Sequence, residues 1–414
     1  MDCRVKPTKI YNDEDLPMES SNLRSSKLPA QGFIHLLPIY LIVFFSFFDT
    51  HAQMPILAPF ATNLGATPFL IGLVVGTYSL FNITGNFTSG IWIDKTSWKK
   101  PLFAGLAGVS IILALYPQAA TPAGLIAIRA AHGYLGGVLV PAALACLTKG
   151  QDSENHGRYL ALFGASIGLA AVTGPMFSGI VANNHGFSTV YYSLAAMMAA
   201  ATVLSLIPLF RLNQALCPYD LPLISFRQIS GLALMKSAFC YALGTMGATG
   251  ALASFLPTRA ALLGFNPAQT GMLFATFALT AILVQTAWPK FLKPVFREDL
   301  RGGAVGLALI SLALTIAAST GSSLGLFLAL AIFGTGFGLS FQSMLGLVVS
   351  GSELHWRGRA IGLFFAVYSL GVALMPPLSG LIWQMVPAIF PFYTAAAGAL
   401  VWLVVGYRFG YNPA

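Results

Sequence analysis

Charge is what this sequence has least of. Of 414 residues, 8% are Asp, Glu, Lys or Arg, while 56% are hydrophobic and the mean hydropathy is +0.76. A soluble domain carries charge on roughly a quarter of its residues, so a water-facing globular surface is excluded. Cysteine is scarce too: Cys3, Cys146, Cys217 and Cys240 show no ligand spacing, which points to no metal site. Cys146 and Cys240 sit in apolar runs and read as packing residues. No catalytic triad, cofactor motif or metal-ligand set stands in the chain, so an enzyme is not expected. Gly334, Gly336 and Gly338 lie inside an apolar run with no strand before them and are not a nucleotide loop.

Long apolar runs are what is present. A bilayer core of roughly 30 Å needs about 20 apolar residues per helix, and a helix satisfies its own backbone there. The runs are continuous and do not alternate, which argues against a barrel. Twelve segments are predicted to span, at about 34–60, 68–93, 101–117, 122–148, 157–182, 188–210, 232–257, 268–289, 302–319, 322–349, 358–382 and 389–408. Before them lies a polar tail, residues 1–32, with no signal-peptide core; a disordered cytoplasmic tail is expected. The longest later polar interval divides the segments six and six. The predicted organisation is a tail (1–32), a first six-helix bundle (33–211), a central cytoplasmic loop (212–230) and a second bundle (231–414).

The +9 formal charge is informative by its location. Lys95, Lys99, Lys100, Lys149, Arg158, Lys290, Lys293, Arg297, Arg301, Arg357, Arg359 and Arg408 fall on one side of a twelve-segment chain, and Arg259 alone on the other. The positive-inside rule then places both termini in the cytoplasm of a multi-pass inner (plasma) membrane protein. It makes a nucleic-acid surface unnecessary.

The halves also resemble each other. Leu64-Gly65, Pro68 and Gly72 recur as Leu263-Gly264, Pro267 and Gly271. Gly133 and Gly137 recur as Gly334 and Gly338, and Pro175, Ser178 and Gly179 as Pro376, Ser379 and Gly380. Duplicated halves are common in secondary transporters, whose substrate site lies between them.

Several stretches resemble the major facilitator superfamily, across all twelve segments. Gly90 through Lys95, with Asp94 as the acid and Lys99 and Lys100 following, is similar to the family's signature between helices 2 and 3; Ser97 and Trp98 stand where it has glycine and arginine. Arg129-Ala130-Ala131-His132-Gly133 resembles the helix-4 motif, whose arginine is tied to proton coupling. Gly168, Gly174-Pro175 and Ser178-Gly179 resemble the helix-5 motif of drug:proton antiporters. Asp49 with Pro55, Pro59 and Leu64-Gly65 resembles the end of helix 1 in twelve-helix antiporters. The resemblance implies an all-α membrane protein of twelve transmembrane helices in two pseudo-symmetric six-helix bundles, and it favours export.

Of thirteen acids, Asp49 alone lies well inside an apolar run. A charge at a helix centre costs roughly 2.5–3.5 kcal/mol on insertion scales, so such an acid is kept for a purpose or keeps its proton. Asp49, Arg129 and His132 are the expected proton-coupling group, with His132 one turn from Arg129. A structural ion pair between helices 1 and 4 is the competing role. Gly90, Asp94, Lys99, Lys100, Arg158, Arg357 and Arg359 are expected at a cytoplasmic gate, beside their plainer role as a topology signal. Gln53, Asn82, Asn86, Thr245, Thr249 and Gln342 are cavity candidates, with interhelical hydrogen bonding as the alternative.

The leading expectation is a monomeric, proton-coupled antiporter exporting a small organic or amphipathic molecule, a drug or a secreted metabolite such as a metal chelator. The alternatives are a proton-coupled uptake symporter and a non-transporting membrane receptor. The expected partners are a small-molecule substrate, protons and the lipid bilayer, with no nucleic acid and no cofactor.

Overall fold

A computed structural model describes residues 30–148, 156–211, 226–292, 299–353, 356–386 and 390–411. Most of the expected tail, most of the central loop, Cys3 and Cys217 lie outside those residues. The described chain is helical throughout, with no strand. Eleven helices are long and apolar enough to cross a membrane, and a bent pair makes a twelfth span. Cys146 and Cys240 are buried free thiols.

The first span differs from the continuous segment expected at 34–60. α1 (Ala30–Ala52) and α2 (Leu57–Asn63) meet at a 46° bend. Pro55 supplies the reason: it has no N–H to give and its ring collides with the carbonyl four residues back. The chain turns through tighter bonds instead, Met54 N to His51 O at 3.1 Å and Ile56 N to Gln53 O at 3.2 Å. Asp49 therefore stands in the last turn before a break in the helix, and Gln53 is the first residue of that break.

The other spans are α3 (Pro68–Lys95), α4 (Lys99–Leu115), α5 (Pro122–Thr148), α6 (His156–His185) and α7 (Phe187–Arg211). A short α8 (Phe226–Gly231) lies within the interval expected to be loop. Then come α9 (Ala233–Leu262), α10 (Pro267–Ala287), α11 (Asp299–Ser319), α12 (Ser323–Ser350), α13 (Arg357–Met385) and α14 (Pro391–Tyr411). α4 starts two residues earlier than predicted, so Lys99 and Lys100 occupy its first turn; Ser97 Oγ caps it by accepting from Lys99 N at 3.1 Å.

The repeat is visible in how helices start. Gly65 and Gly264 turn the chain at φ +81° and +80°, a left-handed conformation that glycine adopts without a Cβ clash. In both turns the following residue donates back to the helix, Ala66 N to Ala61 O and Phe265 N to Ala260 O, each at 3.0 Å. Thr67 then caps α3 and Asn266 caps α10, each with proline in first helical position.

The halves meet along two seams, α3 against α13 and α6 against α10. At one end of each seam main chain lies on main chain. A Cβ on Gly72 would meet the Pro376 carbonyl at 2.5 Å, and one on Gly179 the Pro267 carbonyl at 2.5 Å. Gly380 and Gly271 face the Pro68 and Pro175 carbonyls in the same way. Toward the end bearing the basic loops no atom of the described residues lies within 4 Å of a Cβ built on Gly90, Gly164, Gly358 or Gly362. Among the described residues the seams are tightly packed at one end and looser at the other.

Candidate functional site

The bend in the first span puts Asp49 and Gln53 one turn apart on the same face, and α5 lies opposite. Arg129 and His132 are also one turn apart. The two pairs meet in the interior. Asp49 and Gln53 are each 2% exposed, Arg129 6% and His132 0%. Burial this complete requires partners, and each of the four side chains has at least one.

His132 Nε2 stands 2.9 Å from Asp49 Oδ2. Gln53 Nε2 donates to Asp49 Oδ1 at 2.8 Å. Tyr116 Oη lies 2.9 Å from His132 Nδ1. Arg129 Nη1 donates to Gln53 Oε1 at 3.0 Å and to Tyr116 Oη at 3.3 Å, and Nε donates to the Val74 carbonyl at 3.1 Å. The guanidinium also lies 4.5 Å from the centre of the Tyr78 ring, a cation–π contact. Tyr78 and His132 meet edge to face at 5.1 Å, and Tyr116 stacks on Tyr191 at 4.4 Å.

With Asp49 ionised and His132 neutral, the carboxylate accepts from Nε2–H and Nδ1 accepts from the Tyr116 hydroxyl. One unbroken path then runs from Arg129 through the Tyr116 hydroxyl and the imidazole to Asp49. Among the described residues Arg129 makes no direct ion pair with Asp49; two bridges join them, Gln53 on one side and Tyr116 with His132 on the other. With neutral His132 the charges of Asp49 and Arg129 cancel; one added proton on the Asp49–His132 pair leaves the cluster at +1.

Asp49, Gln53, Tyr78 and Arg129 of this cluster border a cavity of about 290 Å³ between the halves, while His132 and Tyr116 are not part of its lining. Asp49, His51, Gln53, Tyr78, Asn82 and Arg129 line it from the first half; Met246, Thr249, Gly250, Tyr368 and Val372 line it from the second. Gln53, Asn82 and Thr249 are among its lining residues.

Asn86, Thr245 and Gln342 are not part of the lining. Asn86 spends its amide on Asn82 Oδ1 at 2.8 Å. Thr245 is buried and donates to Ser340 Oγ at 3.0 Å, tying α9 to α12. Gln342 is half-buried elsewhere on α12.

Gly168, Gly174, Pro175 and Gly179 lie along α6. A Cβ on Gly174 would stand 3.0 Å from the Phe48 carbonyl, one residue before Asp49, so α6 backs the site directly. Of the expected gate residues, Lys99 places its ammonium 5.9 Å from the Trp98 ring centre, and Arg357 Nη2 donates to the Ser352 carbonyl at 3.2 Å. Arg359 shares the first turn of α13 with Arg357, Lys100 follows Lys99, and Gly90 faces the looser part of the seam. The side chains of Asp94 and Arg158 lie outside the described ones. Among the described residues no group of His, Cys, Asp and Glu could hold a metal.

The superfamily's sequence model matches residues 39–364, from the first span to α13. The chain belongs to the major facilitator superfamily. As a member it is a transporter of small molecules embedded in a membrane, and not an enzyme. It is 21% identical over 342 residues to an uncharacterized MFS-type transporter of Methanocaldococcus jannaschii, covering 81% of this chain and 87% of that one. A shorter match, 28% over 209 residues, joins 47% of this chain to 35% of the probable anion transporter 4 of Oryza sativa chloroplasts. The solved structure of a bacterial homolog of the human lysosomal transporter Spinster, inward-facing and occupied, superposes with a TM-score of 0.74 at 16% identity, covering 93% of this chain and 97% of that one.

Proposed function

We propose that this chain is a proton-coupled exporter of a small organic or amphipathic molecule, acting as a monomer in the inner (plasma) membrane with both termini cytoplasmic. The observation that carries the reading is the contact of a buried carboxylate with an imidazole, Asp49 Oδ2 to His132 Nε2 at 2.9 Å, with Asp49 lining the cavity between the halves. The pair holds one exchangeable proton on either partner. Protonation changes the charge of the cluster by one and weakens the hold of Asp49 on α5, so the helix contact and the proton load are linked. The α6 run Gly174-Pro175 with Gly179 supports export through its resemblance to drug:proton antiporters. Gly90, Asp94, Lys99, Lys100, Arg158, Arg357 and Arg359 form the cytoplasmic gate in this reading, and the looser seam beside Gly90 and Gly358 is its open position.

Proteoliposomes carrying an imposed pH gradient and a panel of drugs and organic acids test the proposal. Cargo leaving as protons enter supports export. Asp49→Asn should cut pH-driven flux to background while the protein remains folded and inserted. Undiminished flux in that variant removes Asp49 from the mechanism.

A second reading, proton-coupled uptake, is favoured by one feature. An added proton raises the positive charge beside Arg129, which strengthens the binding of an anion, and binding linkage is reciprocal. Similarity to a probable anion transporter supports it. Co-accumulation of cargo with protons in the same vesicles would establish this direction and exclude export.

A further inference from the structure

The cavity wall leaves two hydrogen-bonding ends open. A guanidinium has five N–H donors in a fixed fork. Those on Nε and Nη1 of Arg129 go to Val74, Gln53 and Tyr116, whereas Nη2 has no partner among the described residues. The side chain is nonetheless 94% covered, with 6% exposed, and borders the cavity. His51 is arranged in the opposite sense. Its Nδ1 lies 2.8 Å from the Phe47 carbonyl, which can only accept, so Nδ1 carries the proton. Nε2 of the neutral ring is then an acceptor without a partner among the described residues, and His51 borders the same cavity.

The one acid on that wall is spoken for: both Asp49 oxygens are held by Gln53 and His132. A cationic cargo would find no free carboxylate here. An anionic one finds the free edge of a guanidinium, the preferred geometry for a carboxylate or phosphate oxygen. The facing wall of Met246, Gly250 and Val372 is uncharged and mostly apolar, with Thr249 beside it.

We propose that the cargo is a small amphipathic organic anion. Its acid group sits on Arg129 Nη2, a hydroxyl or amide N–H donates to His51 Nε2, and its hydrocarbon part lies against α9 and α13. This deepens the transport reading and rests on the cavity being the cargo site; it does not depend on the direction of transport or on proton coupling.

The test uses purified full-length protein in detergent with no gradient, so it is separate from any failure of coupling. Binding of four shape-matched probes is measured by calorimetry and thermal shift: 3-phenyllactate, 3-phenylpropionate, 3-phenylpropionamide and 3-phenylpropylamine. Both acids should bind about tenfold or more tightly than the amide, as expected for a charge-assisted hydrogen bond, with the hydroxy acid tighter than the plain acid and the amine weakest. Arg129→Gln and Arg129→Lys should erase the preference for acids, and His51→Phe should equalise the two acids. Should the Arg129 variants not fold, the wild-type series and His51→Phe decide. The proposal is overturned if the amide or amine matches the acids, or if no probe binds saturably at millimolar concentration.

Discussion

The two halves of this chain share a repeat and differ in chemistry where the first carries its polar cluster. In the first half His132 meets Tyr78 edge to face at 5.1 Å and 86°. In the second, Phe333 meets Phe277 at 5.3 Å and 84°. These are the same positions of the repeat: the offset relating Gly133 to Gly334 relates His132 to Phe333, and that relating Gly72 to Gly271 relates Tyr78 to Phe277. The glycine that follows each pair packs alike, Gly133 on the Tyr78 carbonyl and Gly334 on the Phe277 carbonyl. By the same offsets Leu330 stands for Arg129 and Ala248 for Asp49, both buried. The difference teaches that the fold does not need the polar cluster. Hydrocarbon fills the same space in the second half, so the acid, the arginine and the imidazole are retained in the first for something other than packing.

The comparison can be broken in order of expected effect, after the loss predicted for Asp49→Asn. His132→Phe writes the second half's ring pair into the first. The protein should fold, because the Phe333–Phe277 geometry shows that the ring fits. Asp49 Oδ2 and the Tyr116 hydroxyl would lose their partner, costing about 1–3 kcal/mol, and pH-driven flux should fall at least about tenfold. Thermal unfolding and vesicle flux measure the two effects; a variant that transports normally would make His132 a packing residue like Phe333.

Gly133→Ala and Gly334→Ala come next. Each brings a methyl against a carbonyl of the neighbouring helix, and overpacking of this kind costs about 1–3 kcal/mol. Similar drops in unfolding temperature are expected from the two variants. A large loss from one and none from the other would show that the halves are not equally rigid.

The smallest effect is expected at Asn86→Ala. Its amide serves Asn82 one turn away and does not border the cavity, so stability should move by no more than about 0.5 kcal/mol with flux unchanged. Asn82→Ala, on the cavity wall, should alter cargo selectivity. Altered selectivity from Asn86→Ala instead would extend the cargo path further along α3.

Much of this architecture was legible in the residues. Apolar runs located every span because the bilayer imposes their length, and Asp49 stood out because no other acid lay deep in such a run. Arg129 and His132 were readable from their shared face. Three things were not. The break before Pro55 was hidden because proline is tolerated in membrane helices and Pro257 leaves α9 unbroken. Gln53 was read as cavity lining, and its bridging role depends on a contact with a residue 76 positions away. Tyr78 and Tyr116 passed as ordinary aromatics, since a tyrosine in an apolar run looks like packing. One signal for Tyr78 was present: aligned repeats place a polar ring opposite an apolar one at Tyr78 and Phe277. Reading the repeat for its mismatches, and not only for its matches, marks that member of the cluster.

The tightly packed end of the seams is built from Gly72 on Pro376, Gly380 on Pro68, Gly271 on Pro175 and Gly179 on Pro267. Peptide groups already fixed within helices meet there, so no rotamers need freezing when the halves come together. Resealing this end is therefore a docking of two stiff surfaces, with little conformational search to slow each turnover.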